Sequence, residues 1–175
     1  MFEVKPNGAK RPTRILLIED NLEQVALVEA NLREYGQESY LLETVSRLMD
    51  GVARLRQAVF DVVLLDLGLP ECEGAESYLA VRDSAPDVPV VVLTADHRQN
   101  TVHLVIAYGA QGYLLKQEAS GPRLIESIRS AMLLHRANST APAPKFDGTA
   151  WQCQPAPGDV SAGALKAIPR TGKNR

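Results

Sequence analysis

Three four-residue runs of branched apolar side chains constrain this chain more than any other feature. They are Ile15-Leu16-Leu17-Ile18, Val62-Val63-Leu64-Leu65 and Val90-Val91-Val92-Leu93. Runs this short with no polar alternation suit strands buried on both faces of a parallel sheet. Each stops on a group that is costly to bury without partners. The first stops on Glu19-Asp20, the second on Asp66 and the third on Thr94. The second leads at once into a loop with Gly68 and Pro70, so Asp66 is expected at the mouth of a crevice beyond a strand's carboxyl end, where open α/β sheets place their chemistry.

The stretches between these runs carry helical spacing. Leu22, Val25, Val28, Leu32 and Tyr35 form one stripe, stopped by Gly36;. Residues 39–43 read as a second strand, and Thr44 as the cap of a helix to about Ala58 with Val45, Leu48, Val52 and Leu55 inward. A helix from about Gly74 to Ser84 follows Asp66. Residues 97–108 are expected to turn Val102, Val105 and Ile106 toward the sheet and His97, Thr101, Leu104 and Tyr108 outward. Gly112 to Leu115 makes a fifth strand ending on Lys116. A last helix from about Gly121 to Arg136 buries Leu124, Ile125, Ile128, Ala131 and Met132. Five βα units of this kind predict an α/β fold with a doubly wound parallel sheet and helices on both faces.

The 175 residues are expected to divide into a loose arm (1–13), one domain (14–137) and a tail (138–175);. The tail holds Pro142, Pro144, Pro155, Pro157 and Pro169 with no sustained apolar period, and is expected to be disordered;. A net charge of -2 argues against nucleic acid as the main partner;. Two cysteines, Cys72 and Cys153, are too few for a disulfide framework or a structural zinc site, and Cys72 reads as incidental;. No secretory leader or membrane-spanning stretch is visible, so a soluble cytoplasmic protein is expected.

In a doubly wound sheet the strand ends share one edge. Glu19, Asp20, Asp66, Thr94 and Lys116 would then converge. Three close carboxylates repel one another unless a cation is present. An oxygen-only set with few protein ligands suits Mg²⁺, which keeps several waters. A carboxylate beside Mg²⁺, an ammonium and a hydroxyl can take up a phosphoryl group, with Asp66 as nucleophile and Lys116 neutralising the phosphoryl oxygens. Thr94 can then hydrogen-bond an oxygen that arrived with the transfer, which gives its loop a reason to move.

The motifs ILLIEDN (15–21), DVVLLDLGLP (61–70), VVVLTA (90–95) and GAQGYLLK (109–116) occur in order on matching elements, and over residues 14–136 the chain resembles the receiver domains of two-component response regulators. The resemblance implies a flavodoxin-like five-stranded sheet of order 2-1-3-4-5 and phosphotransfer from a histidine kinase or phosphotransfer protein to Asp66. It further implies Glu19, Asp20, Asp66 and the Gly68 carbonyl as Mg²⁺ ligands. Lys116 and the Ala95 amide would contact phosphate, and Thr94 and Tyr113 would form the switch. Two departures stand out: Glu19 replaces the commoner Asp, and Gln117 stands where a cis proline is usual. Since a cis bond before a non-proline costs about 2.5–4 kcal/mol, the Lys116–Gln117 peptide is expected either trans or as a strained cis bond.

The function expected is that of a phosphorylation-activated signalling or phosphorelay protein, not an enzyme, working through an unidentified protein target. Exposed Leu104 and Tyr108 could form part of a phosphorylation-dependent dimer or partner surface. A degenerate receiver that binds without phosphate is the alternative. A Mg²⁺-dependent phosphatase with an Asp nucleophile would want a second acid where Gly68 stands, and a dinucleotide enzyme would want glycines where Glu19-Asp20-Asn21 stand. Gly68 and Asp96 flank the site and are expected to set the phosphate's lifetime.

Overall fold

The computed structural model describes residues 11–72, 74–95, 99–119, 121–138 and 166–168. Strand β1 (Thr13–Ile18) leads into helix α1 (Leu22–Tyr35), and β2 (Tyr40–Val45) into α2 (Leu48–Gln57). Then follow β3 (Val62–Asp66), α3 (Ala75–Ser84), β4 (Val90–Thr94), α4 (Gln99–Ala107), β5 (Gly112–Leu115) and α5 (Pro122–Asn138). A short β6 (Lys166–Ile168) completes the described chain. The sheet order is β5-β4-β3-β1-β2-β6, with the first five strands parallel and β6 antiparallel to β2. The expected 2-1-3-4-5 order is therefore present.

Side-chain alternation along the strands splits the core in two. Ile15, Leu17, Val62, Leu64, Val91, Leu93 and Leu114 point to one face, where α1 and α5 cover them with Val28, Leu32, Leu124, Ile125 and Ile128. Leu16, Ile18, Val63, Leu65, Val90 and Val92 point to the other, under Leu48, Val52, Leu55, Tyr78, Val81 and Val105 of α2, α3 and α4. Both faces are covered, which is why the strand sequences show continuous apolar runs rather than alternation. Close approach favours Gly51: a Cβ there would lie 2.3 Å from Ile18 Cδ1 and 2.9 Å from its Cγ1, so the Ile18 side chain would have to shift to admit one.

Several expectations need correction: Leu22, placed in the inward stripe of α1, is 81% exposed, and Cys72 is disulfide-bonded rather than incidental. Thr44 does not cap a helix. Thr44 and Val45 continue β2 in register with Leu17 and Ile18, as suits β-branched residues beside a buried strand, and α2 starts later behind Arg47;. In α4, Ile106 is 51% exposed and Tyr108 is half-buried against the core, the reverse of the expected assignment. Val105, fully buried in α4, and Tyr108, just beyond its end, are the residues that pack against the core. In the tail, Lys166–Ile168 forms a strand paired with Leu42, Leu41 and Tyr40 where no ordered structure was expected. The rest of 139–175, like Asp96, His97 and the Thr101 side chain, lies outside the described residues.

Candidate functional site

Hydrogen bonds at the carboxyl edge of the sheet bring the strand ends together. Glu19 N–H donates to Val45 O (3.0 Å), Leu67 N–H to Leu93 O (3.3 Å) and Lys116 N–H to Thr94 O (2.8 Å). Asn21 caps α1 by accepting from Glu23 N–H and Gln24 N–H at 2.9 and 3.3 Å, which fixes the chain just after Glu19-Asp20;. Glu19, Asp66 and Thr94 are buried at 2, 3 and 4% exposure, whereas Asp20 and Gly68 are open to solvent. Such deep burial of two carboxylates demands compensation.

Lys116 supplies it. Its Nζ donates to Glu19 Oε1 at 3.0 Å and lies 2.9 Å from Asp66 Oδ2. The Lys116–Gln117 peptide is trans, so the lysine reaches both acids without the cis turn. Asp66 Oδ1 accepts from Gly68 N–H at 3.0 Å, and Glu19 Oε1 also accepts from Asn21 N–H at 3.2 Å. Burial pushes the Glu19 carboxyl up; the Lys116 hydrogen bond opposes this and the Asp66 charge adds to it. Burial pulls Lys116 down, but its bonds to Glu19 and Asp66 outweigh that and leave it above the usual lysine value;.

One oxygen is left over. Glu19 Oε2 lies 2.8 Å from Nζ, close enough for charge attraction, yet the direction is wrong and the buried atom has no hydrogen bond. A short distance without direction does not satisfy a lone pair. Oxygens of Glu19, Asp20 and Asp66 lie within 4.8 Å of one another. An all-carboxylate set with a buried oxygen lacking a donor fits a hard divalent cation.

The other expected residues fall at the same edge. Thr94 ends β4, Ala95 follows it at the surface, and half-buried Tyr113 pairs with Val92 beside it. Leu104 and Tyr108 are not part of this site. Tyr108 belongs to a separate grip, its carbonyl accepting from Tyr78 Oη at 3.3 Å and Arg82 Nη1 at 3.1 Å.

Sequence reading missed two residues that hold the site's loops. Glu71, in the loop after Gly68, accepts from Leu48 N–H and lies 3.5 Å from Arg47 Nε, and so caps α2, whose own cap residue Arg47 makes no side-chain capping hydrogen bond. Asn31 of α1, 6% exposed, donates to Ala119 O at 3.1 Å and accepts from Gly121 N–H at 2.8 Å. The signal for Asn31 was a polar residue beside the buried Val28–Leu32 stripe, which needs a partner if it is inside. Glu71 gave no comparable signal.

Residues 15–129 match the family described as the response regulator receiver domain. The chain is 30% identical over 135 residues to the regulatory protein LuxO of Vibrio vulnificus, covering 75% of this chain and 29% of that protein. It is 32% identical over 116 residues to the swarming motility regulation protein RssB of Serratia marcescens, covering 66% and 51%. The transcriptional regulatory protein ZraR of Klebsiella oxytoca is 28% identical over 102 residues, 58% of this chain and 22% of that one. The chain thus spans less than a third of LuxO and ZraR and about half of RssB. Among solved structures, the N-terminal domain of a response regulator/sensory box/GGDEF three-domain protein from Carboxydothermus hydrogenoformans is 29% identical with a TM-score of 0.62, covering 73% of this chain and 99% of that one. A CheY-like receiver domain from Methanospirillum hungatei, at 22% identity and TM-score 0.62, shares the fold. The sheet thus has its counterpart in known proteins, and the chain belongs to the response regulator receiver domain family.

Proposed function

We propose that Asp66 accepts a phosphoryl group from a histidine kinase or histidine phosphotransfer protein, and that this transfer switches a partner-binding surface. The observation that carries the reading is a buried carboxylate 2.9 Å from a lysine ammonium inside a three-acid cluster. An Asp66 carboxylate oxygen forms the new P–O bond as the donor's bond to phosphorus breaks, and the donor's leaving atom keeps the electron pair. Lys116, already within reach of both acids, follows the charge onto the phosphoryl oxygens. Glu19, Asp20, Asp66 and the Gly68 carbonyl would hold Mg²⁺, which when bound supplies further neutralisation of those oxygens.

The Ala95 amide and Thr94 hydroxyl would donate to the new oxygens, and Tyr113 would follow Thr94 in a shift of population between two states. The protein is then a phosphoacceptor with slow autodephosphorylation rather than an enzyme with a free substrate. It works in the cytoplasm; among the described residues no helix is long and apolar enough to cross a membrane. Output passes to a protein target, with the exposed Leu104 on α4 as one contact and a phosphorylation-dependent homodimer as one form of it.

Incubation with acetyl phosphate and Mg²⁺ tests the reading. One labile acyl phosphate is expected on the wild type and none on Asp66→Asn. A wild type that stays unlabelled under both small-molecule and kinase donors would overturn it in favour of a phosphate-independent binding module.

A further inference from the structure

Lys116 must project its ammonium between Glu19 and Asp66, yet the loop that carries it lacks the proline that would stiffen its first peptide, which is trans. Local bonds close only a turn: Glu118 N–H donates to Leu115 O at 2.8 Å and Ala119 N–H to Lys116 O at 3.3 Å. The side-chain amide of Asn31 ties the far side of this turn to α1. It holds Ala119 by its carbonyl and Gly121 by its amide, from both ends of the same group. Ala119 is buried at 3%, and Gly121 takes the left-handed conformation at φ +58, with the Tyr35 ring of α1 at ordinary contact distance, 3.5 Å from where a Cβ would sit;. The amide's orientation follows from this pairing, since only its nitrogen can face a carbonyl and only its oxygen an N–H.

Asn31 also sits on the helix that starts at the acid pair. Asn21 caps α1 while its own N–H contacts Glu19, and Asn31 lies ten residues along the same helix, about 15 Å at 1.5 Å per residue;. One rigid element therefore registers two walls of the site, the acids at its start and the lysine loop at its middle.

We infer that Asn31 is a positioning residue for Lys116, setting the lysine's place between Glu19 and Asp66 through its bond to Ala119 in the turn that follows the lysine. The inference rests on the phosphoacceptor reading for its consequence in phosphotransfer, but its structural content stands apart. Asn31→Asp keeps the acceptor for Gly121 and loses the donor for Ala119; Asn31→Ala loses both. Misplacing a reacting group by a fraction of an ångström slows a step by about tenfold or more.

The test compares phosphorylation by acetyl phosphate in the Lys116 and Lys116→Ala backgrounds, on full-length protein with folding checked by urea titration. With Lys116 present, Asn31→Asp is expected to slow labelling about tenfold, with Asn31→Ala slower still. In the Lys116→Ala background the same substitutions should add little, because a residue that acts through another loses its effect when that other is gone. Equal slowing in both backgrounds, or full rate in a folded Asn31→Ala, would overturn the inference and leave the proposed function standing. A second readout needs no phosphate. Acylation of Lys116 by an amine reagent should rise about tenfold in Asn31→Asp relative to the other lysines, and an unchanged rate in folded protein would refute the positioning role. If the wild type takes no phosphoryl group, the functional reading falls, and this reactivity alone decides the inference.

Discussion

The two faces of the sheet are packed alike but fastened differently. On the α2, α3 and α4 side the polar fastenings mostly carry charge. Arg54 of α2 holds Glu43 of β2 through Nε and through Nη2 at 3.1 Å, with the carboxylate only 1% exposed. Glu71 caps α2, and Tyr78 with Arg82 grips the end of α4. On the α1 and α5 side, among the described residues, the buried side-chain hydrogen bonds between elements come from one neutral amide, Asn31, and pairs such as Arg33 with Glu29 and Arg129 with Gln37 lie at the surface. The face that moves least charge into the interior is thus the one that holds the lysine loop. A charged fastening responds to pH and to loss of one partner, whereas a neutral one responds to geometry alone.

Four experiments would break or sharpen this contrast. Arg54→Met strands the Glu43 carboxylate and should cost about 3 kcal/mol in urea unfolding, at the low end for a buried pair because Arg54 is partly exposed;. Adding Glu43→Leu should return most of that loss; failure to do so would mean that the arginine packs rather than neutralises.

Alkaline unfolding comes next. Burial pushes the Tyr78 hydroxyl up to about 12 from the ordinary 10.0. A group raised in the folded state gives stability that is whole below its unfolded value and is lost as pH rises through the folded one. Stability should therefore fall by about 2–3 kcal/mol between pH 10 and pH 12, a slope that Tyr78→Phe removes;.

Glu71→Ala should cost about 1 kcal/mol, the usual worth of a helix cap, and Glu71→Gln less. If the loop after Asp66 depends on this cap, labelling by acetyl phosphate will slow in Glu71→Ala as well. Leu104→Glu, on an exposed turn of α4, should change stability by no more than about 0.5 kcal/mol;. Its effect belongs in phosphorylation-dependent association measured by light scattering, and unchanged association would remove Leu104 from the interface.

The sequence made the strand ends legible because the features that mark them are local. A branched run followed by Glu19-Asp20, Asp66 or Thr94 announces both the strand and what it delivers, and the sheet topology does the rest. Boundaries were less secure where two propensities competed: Thr44 can cap a helix or extend a strand, and pairing with Leu17 decides it. The inward line of α4 was misread because Ile106 is apolar and its neighbour Tyr108 is amphipathic, and which of them packs depends on where α3 lies. Asn31 and Glu71 escaped for a different reason. Each acts across a long stretch of chain on a backbone group, and no periodicity along one element reports what loop will lie opposite it.

The short antiparallel β6 has a consequence for how this sheet can be extended. An outer strand offers a row of main-chain donors and acceptors to any extended peptide that approaches. At β2 that row is partly taken, because Tyr40, Leu41 and Leu42 are matched by the chain's own Ile168, Ala167 and Lys166. Among the described residues, the opposite rim of the sheet is β5, four residues long and ending at the lysine of the acid pocket. A visiting strand that lengthened the sheet there would lie beside Tyr113 and register directly on the element that carries Lys116, whereas one at the other rim would first have to displace the tail.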